Sequence, residues 1–168
     1  GDVDARQVLA TVEKYYSALP TRELPVRKPQ IEPPQRGVKQ VQIKALADSA
    51  QLAMAWKAPR LEPGKLDEAD PYALELLTAV LDGYDNARLN RSLVKQEKVV
   101  NDVGVGYDMV SRGQALFVIS TTLAKGKKVE QVQASIRKAL NDIKQNGILE
   151  SELKRIKVRI LSDQIYKR

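Results

Sequence analysis

The sequence predicts an α+β fold: an antiparallel-rich sheet with helices packed on one side. Two observations carry that expectation. Apolar residues alternate with a period of two in short runs that come in pairs, and recur at helical spacing in longer runs that come in blocks. The resulting order is one helix, two strands, two helices, two strands, two helices. Paired strands and blocked helices suit antiparallel hairpins under a helical layer better than alternating βαβ units.

Asp4 is placed to cap a first helix in which Val8, Leu9, Val12, Tyr15 and Leu19 form an apolar stripe that ends at Pro20. Pro25, Pro29, Pro33 and Pro34 then exclude a helix or a central strand, so the chain divides into a leading helix (1–20), a proline-rich strap (21–37) and the main sheet and helices (38–168) of one α+β domain. Val41, Ile43 and Ala45 alternate with Gln42 and Lys44 as a first strand. Across the turn-prone Asp48 and Ser49, Leu52, Met54 and Trp56 repeat the alternation as a second.

Asp70 as N-cap and Pro71 at the following position open a helix carrying Leu74, Leu77 and Leu81, stopped by Gly83. Leu89 and Leu93 give a shorter helix over 87–97, with Arg88, Arg91 and Lys95 expected to face outward. Val103, Val105, Tyr107 and Met109 pair as a hairpin with 116–123 across the turn at Ser111–Gln114. Gly104 and Gly106 leave one face of that strand bare, and close helix packing is the expected reason. Val129, Val132, Ile136, Leu140 and Ile143 line a long helix with Gly147 as its C-cap, and Leu149, Leu153, Ile156 and Ile160 begin another.

Composition narrows function. The 168 residues contain no Cys and no His, which removes thiol nucleophiles, imidazole acid–base chemistry and almost every common zinc ligand set. The formal charge of +7 favours acidic partners, yet the basic residues are scattered and the chain holds one Trp and one Phe, so no stacking platform for nucleic acid is expected. No apolar run approaches the roughly 20 residues of a membrane span. The acidic group Glu62, Asp67, Glu68 and Asp70 surrounds a helix start, where capping and the helix dipole account for it. Ser111, Ser120, Thr121 and Thr122 lack a histidine base, and Gly104-Val105-Gly106 lacks the third glycine of a phosphate-binding turn. No catalytic, metal-binding or cofactor-binding residue is assigned.

The opening Gly1-Asp2-Val3-Asp4 is abrupt and the helical pattern still runs at Arg168, so a fragment of a longer chain is expected. That opening, with Val12-Glu13-Lys14-Tyr15-Tyr16, resembles a domain junction in pitrilysin/insulinase-type zinc metallopeptidases. Leu81-Asp82-Gly83, Ala87-Arg88-Leu89, Leu93-Val94 and Glu97-Lys98 resemble the domain that follows it, and residues 147–153 are similar to that domain's penultimate helix junction. The resemblance implies a metalloenzyme (LuxS/pitrilysin-like) half-domain. It would be the second, non-metal-binding domain of one half of a clamshell that closes around a peptide substrate.

In such a protein the preceding domain carries the zinc on an inverted His-x-x-Glu-His motif, and a second half or partner subunit completes the chamber. The implied role here is to enclose substrate and scaffold the enzyme, with no cofactor in this chain and zinc expected in the neighbouring domain. An Arg and a Tyr that hold substrate in the opposite half would fall at Val94 and Asn101, which do not match. The mismatch favours the zinc-bearing half. The alternative is a structural or assembly subunit of the same family that has lost peptidase activity. Many bacterial relatives are exported, which implies the periplasm, with the cytoplasm as the other location.

Overall fold

The structure, a computed structural model, describes residues 2–26, 28 and 33–166, in two compact units, Gly1–Val38 and Lys39–Arg168. Pro29 of the expected strap, Arg27 and the basic pair Lys167 and Arg168 lie outside the described residues.

In the first unit, the Asp4 carboxylate accepts the amides of Arg6 at 2.8 Å and Gln7 at 3.3 Å and so starts α1, Ala5–Tyr16. Among the described residues, nothing within this unit covers the apolar stripe of α1, with Val12 45% and Leu9 58% exposed. The described residues between Pro20 and Val38 form no helix or strand, as their prolines dictate.

The second unit is built on a three-stranded antiparallel sheet of β1 (Gln51–Ala58), β2 (Val100–Gly106) and β3 (Ala115–Leu123), in the order β1-β3-β2. Period-two burial is clearest in the central strand. Ala115, Phe117, Ile119, Thr121 and Leu123 are buried, whereas Leu116 and Ser120 are exposed. On the buried face the sheet meets α2 (Ala69–Asp82) and a π-helical segment (Asn90–Gln96); α3 (Val129–Asn146) packs on the π-helical segment and adds Val132 and Ile136 to the core, and α4 (Glu150–Tyr166) packs on α2. Met54, Leu81, Leu89, Leu93, Phe117, Ile119, Val132 and Ile136 make one continuous core between these layers. The expected α+β sheet with helices on one side is what forms.

Several expectations change in detail. Residues 41–47 belong to no strand, and Val41 and Ile43 are each 82% exposed, so the first of the two predicted N-terminal strands is unpaired. Alternation supplies a strand's faces but not its partner. Helix α2 begins at Ala69 with Glu68 in the cap position, so Asp70 sits within the first turn and does not cap it. The expected helix over 87–97 winds as a π-helix from Asn90, with the Glu97 amide reaching back five residues to Ser92 O at 2.8 Å; Lys98, at φ 51, then ends it. Strand β2 stops at Gly106, before Tyr107 and Met109, and the Tyr107 hydroxyl donates to Pro59 O.

The two strand glycines are also explained differently. Gly104 pairs with Ser120, an exposed residue on the face opposite the helices, and the nearest neighbour of a Cβ at Gly104 would be Ser120 Oγ at 3.3 Å. Helix packing is not the cause. Gly147 fills its predicted role, closing α3 at φ 70, a left-handed backbone that favours glycine.

Candidate functional site

The last residue of α2, Asp82, reaches the free side of β2. Its Oδ2 accepts the Val105 amide at 3.1 Å, and its Oδ1 accepts Asn90 Nδ2 at 2.7 Å. Burial pushes the carboxyl above its ordinary pKa, and the two hydrogen bonds pull partly the other way. A carboxylate on an outward amide leaves that amide unable to pair with another strand. The β2 edge is further interrupted by the register shift between Val100 and Asp102.

A second polar cluster joins elements distant in sequence. Arg88 donates through Nη2 to Glu152 Oε2 at 2.7 Å and through Nε to Glu152 Oε1 at 3.2 Å, a bidentate pair. Its Nη2 also reaches Gly147 O at 3.4 Å, and Nη1 stands 3.5 Å from Asp142 Oδ2. These contacts connect the start of the π-helical segment to the end of α3 and the first turn of α4. The hydrogen-bonded guanidinium holds the Glu152 carboxyl below its ordinary pKa, and the same bond raises that of Arg88. Arg88, expected to face outward, has a side chain only 16% exposed.

The other sequence-derived candidates stay apart from both clusters. Glu62 and Glu68 lie 3.5 and 3.9 Å from Lys65 Nζ with all three side chains about half exposed, a solvated group beside the α2 start. Ser111, Ser120 and Thr121 donate their hydroxyls to the carbonyls of Gly113, Gly104 and Leu52, geometry that ties backbone and activates no nucleophile. Val94 packs against the core, while Asn101 is exposed at the β2 irregularity and donates to Leu123 O at 3.4 Å. Neither supplies a cation or a phenol. The Asp82 and Arg88 clusters escape sequence reasoning because their partners, Val105 and Glu152, lie 23 and 64 residues away.

By fold and polar geometry this is an α+β domain in which the Arg88 and Asp82 clusters brace helices and a strand edge. The chain belongs to the family described as the Peptidase M16 inactive domain, which matches residues 1–159. Its fold is similar to that of a protease from Helicobacter pylori, with a TM-score of 0.80 at 20% identity over 99% of this chain and 40% of that one. It is also similar to a conserved protein from Enterococcus faecalis V583, with a TM-score of 0.72 at 16% identity over 99% of this chain and 37% of that one. The chain therefore spans about 40% of the length of the first of these proteins. No curated protein matches it. Among the described residues, no helix is long and apolar enough to cross a membrane.

Proposed function

We propose that this chain is a non-catalytic, substrate-enclosing and scaffolding domain of a zinc-dependent endopeptidase. The observation that supports it most is the match of residues 1–159 to an inactive peptidase domain, in a chain with no His and no Cys. Zinc favours imidazole and thiolate ligands, often with a carboxylate beside them. The residues present do not fit that ion: the two preferred donor types are missing, and no three carboxylates gather among the described residues.

On this reading zinc and hydrolysis belong to a preceding domain, and a second half or partner subunit closes the chamber around an extended peptide. Val94 and Asn101 in place of a substrate-holding Arg and Tyr favour the half that carries the zinc. An exported protein, resident in the periplasm, suits the role.

The test is zinc content and peptide hydrolysis of the intact protein beside the isolated chain, with metal-free controls. Hydrolysis by the intact protein alone is the expected result. Zinc-dependent turnover by the isolated chain overturns the proposal, and an intact protein that neither binds zinc nor cleaves peptides identifies an assembly subunit instead.

A further inference from the structure

The two edges of the sheet are not equivalent. On β2 the Val105 amide is occupied by Asp82. On β1, Ala50 O accepts the Leu123 amide at 2.9 Å, and antiparallel pairing alternates, so the N–H and C=O groups of Gln51, Ala53 and Ala55 point away from β3. The side chains of Gln51, Ala53 and Ala55 are exposed, and β1 carries no proline and no bulge that would discourage another strand. On the helix-covered face of this edge, Leu52 is half-buried and Trp56 is 36% exposed.

Immediately before β1 lies the segment with a strand's alternation and no partner. Val41 and Ile43 are 82% exposed and Leu46 is fully exposed. If residues 47–50 form a four-residue loop, Leu46, Lys44 and Gln42 fall opposite Gln51, Ala53 and Ala55, the outward-pointing positions of β1. The same register sets Ala45, Ile43 and Val41 opposite Leu52, Met54 and Trp56, in the closer, non-hydrogen-bonded pairs of the helix-covered face. Polar Gln42 and Lys44 then stand beside Ala53 and Ala55 on the open face. A slip of one residue puts Gln42 and Lys44 against the core and Val41 and Ile43 in water, so only registers of this parity satisfy both faces, and the short loop selects this one among them.

We propose that β1's outer edge is a strand-addition site whose occupant is the chain's own segment 41–46, a strap that closes as a fourth strand. Closure gives the Gln51, Ala53 and Ala55 backbone groups partners, covers Trp56, and withdraws the unguarded edge from any other extended chain. The open arrangement leaves the edge free.

Hydrogen exchange of the intact protein tests this directly. Closure slows exchange at the Ala53 and Ala55 amides about 10-fold or more, and Gln42→Pro, which removes the amide that would bond Ala55 C=O, abolishes that protection. Unchanged protection at Ile119, in the central strand, shows that the variant still folds. Trp56 is this chain's one tryptophan and stands opposite Val41 in this register, so Val41→Asp shifts the Trp56 part of the emission, read as the difference from a Trp56→Phe variant, to longer wavelength, and an unmoved emission overturns the proposal. Fast exchange at Ala53 and Ala55 in the unmodified protein overturns the proposal. So does protection that survives Gln42→Pro, which would mean that a second copy or another chain's peptide holds the edge.

Discussion

The β2 and β1 sides of the sheet are stabilised in different ways. Strand β2 is held by residues brought from elsewhere in the chain: Asp82 from the end of α2, Asn90 from the π-helical segment, and the fully buried Leu89 and Leu93 beneath. Strand β1 has one neighbour, β3, and faces solvent along its other edge, with Trp56 partly uncovered. The difference teaches that edge protection in this domain comes from tertiary reach on one side and is left to local chain on the other.

The largest contrast is expected between two core truncations. Leu93→Ala removes a fully buried side chain under the β2 side and should cost about 2–5 kcal/mol, because the rigid layers around it cannot collapse into the space. Trp56→Ala should cost less, since the residue is 36% exposed and its removal opens the space to water, with no closed cavity left behind. Urea unfolding of both variants checks the order. Equal costs, or a larger one for Trp56, break the comparison and place the β1 side deeper in the core than its exposure indicates.

An intermediate effect is expected at the β2 guard. Asp82→Ala removes the acceptor of two hydrogen bonds and should cost about 1–2 kcal/mol, with faster exchange of the Val105 amide. The sign of its pH dependence follows from burial. The folded carboxyl titrates above the ordinary 3.8, so the folded state binds the proton more readily, and this group's contribution falls as pH rises from about 3.8 through the folded value. Asp82→Asn keeps an acceptor for Val105 and removes the titration. Its stability relative to the unmodified protein should therefore rise across that acid window and stay level above it, as pH-stepped urea titrations can read. A flat difference throughout would mean that the Asp82 carboxyl is not shifted by burial.

Most of the fold was legible because it is written in local periodicity. The helices α1, α3 and α4, the Gly147 cap and the β2–β3 hairpin need only a stripe, a turn and a glycine, all adjacent in sequence. What escaped depends on distance or on competition between close alternatives. The π-helical winding of Asn90–Gln96 shares its apolar spacing with an ordinary helix, and Arg88 reads as a surface cation until α4 brings Glu152 to it. The absence of a histidine was visible at once, and with it the unsuitability of the chain as a zinc site. The roles of Asp82 and Arg88 were not, because a carboxylate or guanidinium announces its charge in sequence but not its partner.

The smallest effect is expected on the open face. Gly104 stands across from Ser120, and a Cβ there would meet only Ser120 Oγ at 3.3 Å, the movable end of a small side chain. Its backbone is not left-handed, so alanine meets no conformational barrier, and a strand interior generally gains from losing a glycine's freedom. Gly104→Ala should therefore change stability by no more than about 0.5 kcal/mol. Gly83 provides the contrast: a Cβ there would stand 2.6 Å from Ala79 O, which is backbone and cannot turn aside. If thermal unfolding of the intact protein instead shows Gly104→Ala to be as damaging as Gly83→Ala, then a further layer lies against Ala53, Ala55 and Gly104. The contrast between a covered and an uncovered sheet face would then hold for this chain alone and not for the assembly that contains it.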